Sequence, residues 1–175
     1  MAFWSDGNIS PKLSFKWVLT LGSDEYAFKE YTISSFQKPS FTVGLTEYIA
    51  INDVGYKPGI LSWNPVEIVL LDPEETYTNN SYLLYKLLRK TGHVRKSPGD
   101  NRPQSAIIKK DTSDALGGLI TFNQLDSNGQ TIESWYLHRP FITAASFGTA
   151  NYSSEELMTI GMTIQYDEAE YRLGT

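Results

Sequence analysis

A chain of 175 residues, 41% hydrophobic and 13% aromatic, carries enough apolar material for the core of one domain, and its lack of cysteine excludes disulfides and thiolate metal sites. The formal net charge of -5 is unevenly spread. Residues 86 to 110 hold eight bases (Lys86, Arg89, Lys90, Arg95, Lys96, Arg102, Lys109 and Lys110) against Asp100 alone, which leaves seven bases and nineteen acids elsewhere.

Such a basic block fits a solvated loop, a dock for an acidic surface of an identical neighbour, or a nucleic-acid contact. The N-terminus lacks a basic region followed by an apolar run, and no stretch approaches the ~18 apolar residues of a membrane helix. A soluble protein without a secretory signal, suited to a reducing cytosol, is expected.

Residues 1 to 12 carry Gly7, Asn8, Ser10 and Pro11 and no period, so they read as an arm. Phe3 and Trp4 in that arm are large aromatics that seek a surface, their own or a partner's. Leu13 to Leu21 alternates apolar and polar residues and predicts a strand. A turn at Gly22-Ser23-Asp24-Glu25 leads into a second predicted strand, Tyr26 to Ile33, and Ser40 to Thr46 predicts a third.

The pattern loosens over residues 46 to 59. This stretch is longer than a usual connection and too rich in aromatic and β-branched residues for disorder, which predicts a protruding loop or long hairpin that orders against something. Ile60 to Leu71 follows. Its Val66 to Leu71 part reads as a strand, and Pro65, which cannot donate to a ladder, marks an edge or a bulge.

One helix is predicted, at about residues 80 to 91. Thr78, Asn79, Asn80 or Ser81 caps it, Leu83, Leu84, Leu87 and Leu88 form its apolar stripe, and Gly92 lies just past its end. Much of 93 to 114 reads as loop. Leu119 to Leu125 and Thr131 to Leu137 flank Asp126-Ser127-Asn128-Gly129, a hairpin signal whose Asn-Gly pair predicts a type I′ turn. After a segment of small residues, Thr143 to Gly148, the stretch Glu156 to Asp167 alternates strictly. Met158, Ile160, Met162, Ile164 and Tyr166 point one way, and Thr159, Gly161, Thr163, Gln165 and Asp167 the other. The second set presents a wet face that is chargeless between Glu156 and Asp167.

Catalytic chemistry is hard to find. His93 and His138 have no second ligand at metal spacing, Gly117-Gly118 lacks the phosphate-loop ending, and Gly148-Thr149-Ala150 makes no nucleophile elbow. The acid clusters Asp72/Glu74/Glu75, Glu155/Glu156 and Asp167/Glu168/Glu170 sit at element ends outside the calcium-loop register and read as solvated termini. Trp63, Trp135 and Tyr136 leave open a stacking platform for sugars, though such residues mostly fill cores and subunit contacts.

Lys38-Pro39-Ser40-Phe41-Thr42-Val43 before the long loop, Trp63 through Pro73 leading to one helix, and the closing strand with its acidic end together resemble the tail tube proteins of contractile-tailed bacteriophages, relatives of tailocin and type VI secretion tube proteins. The resemblance covers nearly the whole chain and implies a single mainly-β domain. In it, two packed antiparallel sheets form a β-barrel or sandwich with one flanking helix, and no cofactor is bound.

The resemblance also implies a non-enzymatic virion protein, assembled in the host cytoplasm into hexameric rings stacked as a tail tube. Sheath, tape measure, baseplate and terminator proteins would be its partners, and double-stranded DNA would pass through without binding to a membrane being involved. Thr159, Gly161, Thr163 and Gln165 would then face the channel, whose wall should avoid Lys and Arg. The arm and loop, through Phe3, Trp4, Glu47, Tyr48, Asn52, Asp53, Tyr56 and Lys57, would contact the next ring. Arg95, Lys96, Arg102, Lys109 and Lys110 would dock on a neighbouring subunit. A tube initiator or tail completion protein of the same fold, or a carbohydrate-binding β-sandwich module, are the alternatives.

Overall fold

In the computed structural model, residues 12–21, 28–51, 53–74, 79–90, 116–153 and 155–174 are described. Their strands, in chain order, are β1 (Trp17–Thr20), β2 (Ile33–Phe36), β3 (Phe41–Ala50), β4 (Asp53–Trp63), β5 (Val66–Leu71), β6 (Leu119–Leu125), β7 (Thr131–His138), β8 (Phe141–Ser146), β9 (Thr159–Gln165) and β10 (Glu168–Leu173), with the helix α1 (Asn80–Lys90) between β5 and β6. Two four-stranded antiparallel sheets, β1-β6-β7-β10 and β2-β5-β9-β8, hold the core, and β3 and β4 form a separate two-stranded ribbon. The described residues form a sandwich and not a closed barrel.

Period-2 alternation builds the core. Val66, Ile68 and Leu70 of β5 and Ile160, Met162 and Ile164 of β9 are buried, as are Leu19, Ile120, Phe122 and Leu137 of the opposite sheet. Each such side chain contributes roughly 1.5–3 kcal/mol of transfer free energy. Helix α1 adds Leu84 and Leu87 to the same cluster, and Leu83 and Leu88 of its stripe are half-buried. Asn79 caps it, its Oδ1 accepting from the Tyr82 amide at 2.7 Å. Asp72, just past β5, accepts from both the amide (3.1 Å) and the hydroxyl (2.6 Å) of Ser81, which ties the helix start to the sheet.

Several local expectations need correction. The first strand is shorter than its alternation, because Leu13 to Lys16 form a turn: Gln124 donates its amide to the Leu13 and Lys16 carbonyls, and Phe15 is exposed. The turn expected at Gly22 to Glu25 and the first two residues of the strand expected over Tyr26 to Ile33 lie outside the described residues. From Phe28, which bridges to Leu21, the rest of that span is a 3-10 turn at Glu30–Thr32 running into β2, with Thr32 buried where its hydroxyl receives the Asn80 amide. The β6–β7 turn is not type I′. Gly129 alone has positive φ (83°) there, because Asp126 Oδ1 accepts from the amides of Asn128 and Gln130 and holds the turn itself.

The closing strand starts at Thr159, so Met158, expected in the core, is 41% exposed. Thr143 to Ser146 of the small-residue segment belong to edge strand β8, while Phe147 and Gly148 lie past its end, and the acids at 168 and 170 belong to β10, not to a solvated terminus.

Candidate assembly surfaces

The two sheets turn opposite chemistries outward. Register places Ser35, Val69, Gly161 and Ser146 in one row and Glu67, Thr163 and Ala144 in the next, with Leu71 beside Thr159. Thr159, Gly161, Thr163 and Gln165 therefore share the outward face of β2-β5-β9-β8, on which Glu67 is the one charge in those rows. A β-carbon built on Gly161 would meet nothing within 4 Å. Gln165 is held down, its amide donating to the carbonyls of Trp63 (3.2 Å) and Tyr166 (3.3 Å).

The outward face of the other sheet is charged. Arg172 pairs with Glu170 at 2.7 Å and covers the Tyr136 ring at 4.9 Å, and His138 lies 3.5 Å from Glu170. The hydrogen bond from Arg172 holds the Glu170 carboxyl below the usual range.

The edges differ in part. β10 carries Glu168, Glu170 and Arg172, the charges that discourage strand addition, whereas β8 and β2, like β1 at the far edge of the charged sheet, carry none. On their far sides β8 and β2 pair with no strand among the described residues.

The long loop is a hairpin. Register pairs Phe41 with Trp63, Val43 with Leu61, Leu45 with Pro58, Glu47 with Tyr56 and Ile49 with Val54. A bulge opposite Gly44 shifts the phase of β4, so all ten lie on one face, apolar but for Glu47. Leu45, Ile49 and Tyr56 are 74%, 81% and 64% exposed. The opposite face carries Thr42, Thr46, Tyr48, Asp53, Lys57 and Ser62. Glu47 and Tyr56 thus fall on the apolar face, and Tyr48, Asp53 and Lys57 on the polar one. An isolated two-stranded ribbon with an uncovered apolar face gains little from folding alone.

The ribbon leaves the sandwich at the Phe36 and Val66 end of β2 and β5. At the other end of that sheet, next to Leu71, residues 148–152 and 156–159 with Val69, Ser146 and Gly161 line an open cleft of about 780 Å³, where Tyr152, Leu157 and Met158 are exposed; Phe147 beside it is exposed too. Phe3, Trp4, Asn52, Arg95, Lys96, Arg102, Lys109 and Lys110 lie outside the described residues. Of the basic block, Lys86 and Arg89 are on the exposed side of α1, Lys86 above the Tyr82 ring at 5.0 Å.

The aromatics do not form a sugar platform. Trp135 packs inward against Tyr171, Tyr136 is the next residue and points outward, and Trp63 packs edge-on to Phe41. Among the described residues no group of three His, Asp or Glu side chains is placed to hold a metal, and no helix is long and apolar enough to cross a membrane.

No family model matches the sequence, and no curated protein matches it. Solved structures match in fold. A chain from the tube-terminating cap of the anti-feeding prophage superposes with a TM-score of 0.67 at 15% identity, over 99% of both chains. A chain from the sheath/tube terminator of an extracellular contractile injection system, PVC, in the extended state gives 0.65 at 13% identity, covering 94% of this chain and 99% of that one. One from the PVC sheath-tube complex gives 0.58 at 13% identity, over 93% and 92%. The chain shares the fold of these tube and terminator assemblies.

Proposed function

We propose that this protein is a non-enzymatic tail tube subunit that closes into hexameric rings and stacks them into a channel. The observation that carries this reading is the β2-β5-β9-β8 sheet, whose two free edges are uncharged and whose outward face bears Glu67 as the one charge in its central rows. Edge-to-edge pairing of β8 with β2 of the next copy removes both open edges and turns that face toward a common axis. Thr159, Gly161 and Thr163 then repeat around a wall with no Lys or Arg, which grips a phosphate backbone weakly. Double-stranded DNA and a tape measure protein are the contents we assign to it.

Stacking follows from the opposite ends of the same sheet. The apolar ribbon at one end meets the exposed Tyr152, Leu157 and Met158 of the cleft of the next ring, a heterologous contact that repeats without closing. In this reading Glu47, Tyr48, Asn52, Asp53, Tyr56 and Lys57, with Phe3 and Trp4 of the arm, lie at the ring-to-ring boundary. The bases Arg95, Lys96, Arg102, Lys109 and Lys110 dock on acids of a neighbour. Sheath, baseplate and terminator proteins are its partners in the virion tail, which is assembled in the host cytoplasm.

A second reading, a terminator or tube initiator that forms a ring but ends the stack, is favoured by the likeness to chains from a terminating cap and a terminator. Negative-stain microscopy of the purified protein separates the readings. A tube subunit gives rings and stacks with a central channel, a terminator gives single rings, and small particles at every concentration contradict both.

A further inference from the structure

Lys12, where the described chain begins, and Lys38, in the linker from β2 into the ribbon, converge on one carboxylate. Glu133 of β7 accepts a hydrogen bond from each ammonium, at Oε2 from Lys12 and at Oε1 from Lys38. Its side chain is 6% exposed, and those of the lysines are about half exposed. The alternation of β7 puts Glu133 on the core-facing side with Trp135 and Leu137, where Gln124 of β6 is its cross-strand partner. Gln124 is buried too, and it holds the carbonyls of Leu13 and Lys16 at 2.8 and 2.5 Å. Two adjacent buried polar side chains thus fix the chain just after the arm.

The surroundings are aromatic. The Lys38 ammonium lies 5.2 Å from the centroid of Phe122, which stacks on Phe36 at 5.0 Å and on Trp17 at 5.9 Å. A carboxylate in such a place is costly unless paired, and an apolar residue of similar volume serves core stability as well. What an apolar residue cannot do is specify where two chain segments, far apart in sequence, leave the body. Burial pushes the Glu133 pKa up, but the two lysines more than offset this and leave it below its ordinary value of 4.5.

We propose that Glu133 is a positioning residue that couples the N-terminal arm to the root of the β3–β4 ribbon, so that the exit of one and the direction of the other are set by a single carboxylate. That the ribbon and the residues before Lys12 then engage a second copy rests on the tube reading. The coupling itself does not.

Hydrogen exchange on the unassembled subunit tests it, comparing the native chain with Glu133→Gln, which keeps the shape and removes the charge. The reporters are the Lys16 amide, bonded to the Leu13 carbonyl, and the Gln37 amide, bonded to the Glu67 carbonyl at 2.9 Å. Both segments should exchange on the order of 10-fold faster or more, while β5 and β9 amides stay unchanged. Leu137→Ala, also on the core-facing side of β7, should speed exchange broadly without singling out these two. Acceleration of one segment only, of neither, or of β5 and β9 equally overturns the proposal, as does the same selective pattern in Leu137→Ala. Because the readout uses single subunits, failure to form rings leaves this result standing.

Discussion

Tyr48 lies across Gly55, its cross-strand partner in the ribbon, so closely that a β-carbon at Gly55 would stand 2.2 Å from the Cζ atom of the ring. Lys57 covers the same ring at 5.1 Å, so the polar face of the ribbon is built around one aromatic laid on a glycine. Gly55→Ala should swing the exposed Tyr48 ring off the ribbon and away from Lys57. The sandwich core lies elsewhere, so the thermal midpoint of the isolated subunit should stay within the effect of about 0.5 kcal/mol expected for a change outside the core. Assembly should fall sharply, as read by sedimentation.

The grip of Asp72 on Ser81 links the end of β5 to the start of α1. Asp72→Ala removes both acceptors and should destabilise the subunit by about 1 kcal/mol, lowering the thermal midpoint by roughly 2–4 °C. Because Asn79 still caps the Tyr82 amide, the far-ultraviolet circular dichroism of the folded state should stay the same.

Much of this fold is legible in the sequence and part of the assembly surface is not. β5, β9, α1 and the β6–β7 pair follow from period-2 or period-3.6 patterns that match their burial. The ribbon's apolar face was hidden by its bulge: Leu45, Glu47 and Ile49 keep one phase along β3, but on β4 the phase of Val54, Tyr56 and Pro58 flips before Leu61 and Trp63. A scan that assumes one unbroken period sees no face there. β8 escaped because Thr143-Ala144-Ala145-Ser146 offers no apolar contrast, and β10 because alternating Glu168, Glu170 and Arg172 read as a charged tail. The four residues assigned to the wet face of the closing strand do share one outward face. Glu67, their neighbour in register, belongs to a strand that sequence alone does not place beside them.

Acid should loosen the Glu133 clamp. Its pKa is lowered in the folded chain, so its contribution is fully present above 4.5 and is lost as pH falls through the lower folded value. Lys12 works in the opposite range: its hydrogen bond to Glu133 raises its pKa, so its contribution is present below 10.5 and lost as pH rises through the higher folded value. Denaturation curves taken from neutral pH to pH 2 should show native and Glu133→Gln proteins converging in stability at the acid end. A constant gap would mean that the ion pairs contribute nothing.

Gly161 has open space above its α-carbon and pairs with Val69 and Ser146. Gly161→Lys should therefore leave the subunit no less stable, since glycine in a strand interior gives up conformational entropy that other residues do not. In an assembled tube the same change sets a ring of ammonium groups on the wall. Such tubes should retain duplex DNA at low salt and release it steeply as salt rises, whereas native tubes retain little.

The central claim is that the β2-β5-β9-β8 sheet closes the ring, and a cryo-electron microscopy map of the rings measures it most directly. β8 should run antiparallel beside β2 of the adjacent subunit within hydrogen-bonding distance, the direction that the all-antiparallel order β2-β5-β9-β8 sets in a rotationally closed ring, with Thr159, Gly161 and Thr163 lining the axis. A ring in which this face is covered by a neighbour, or faces outward while the Glu170 and Arg172 face lines the channel, would contradict the account.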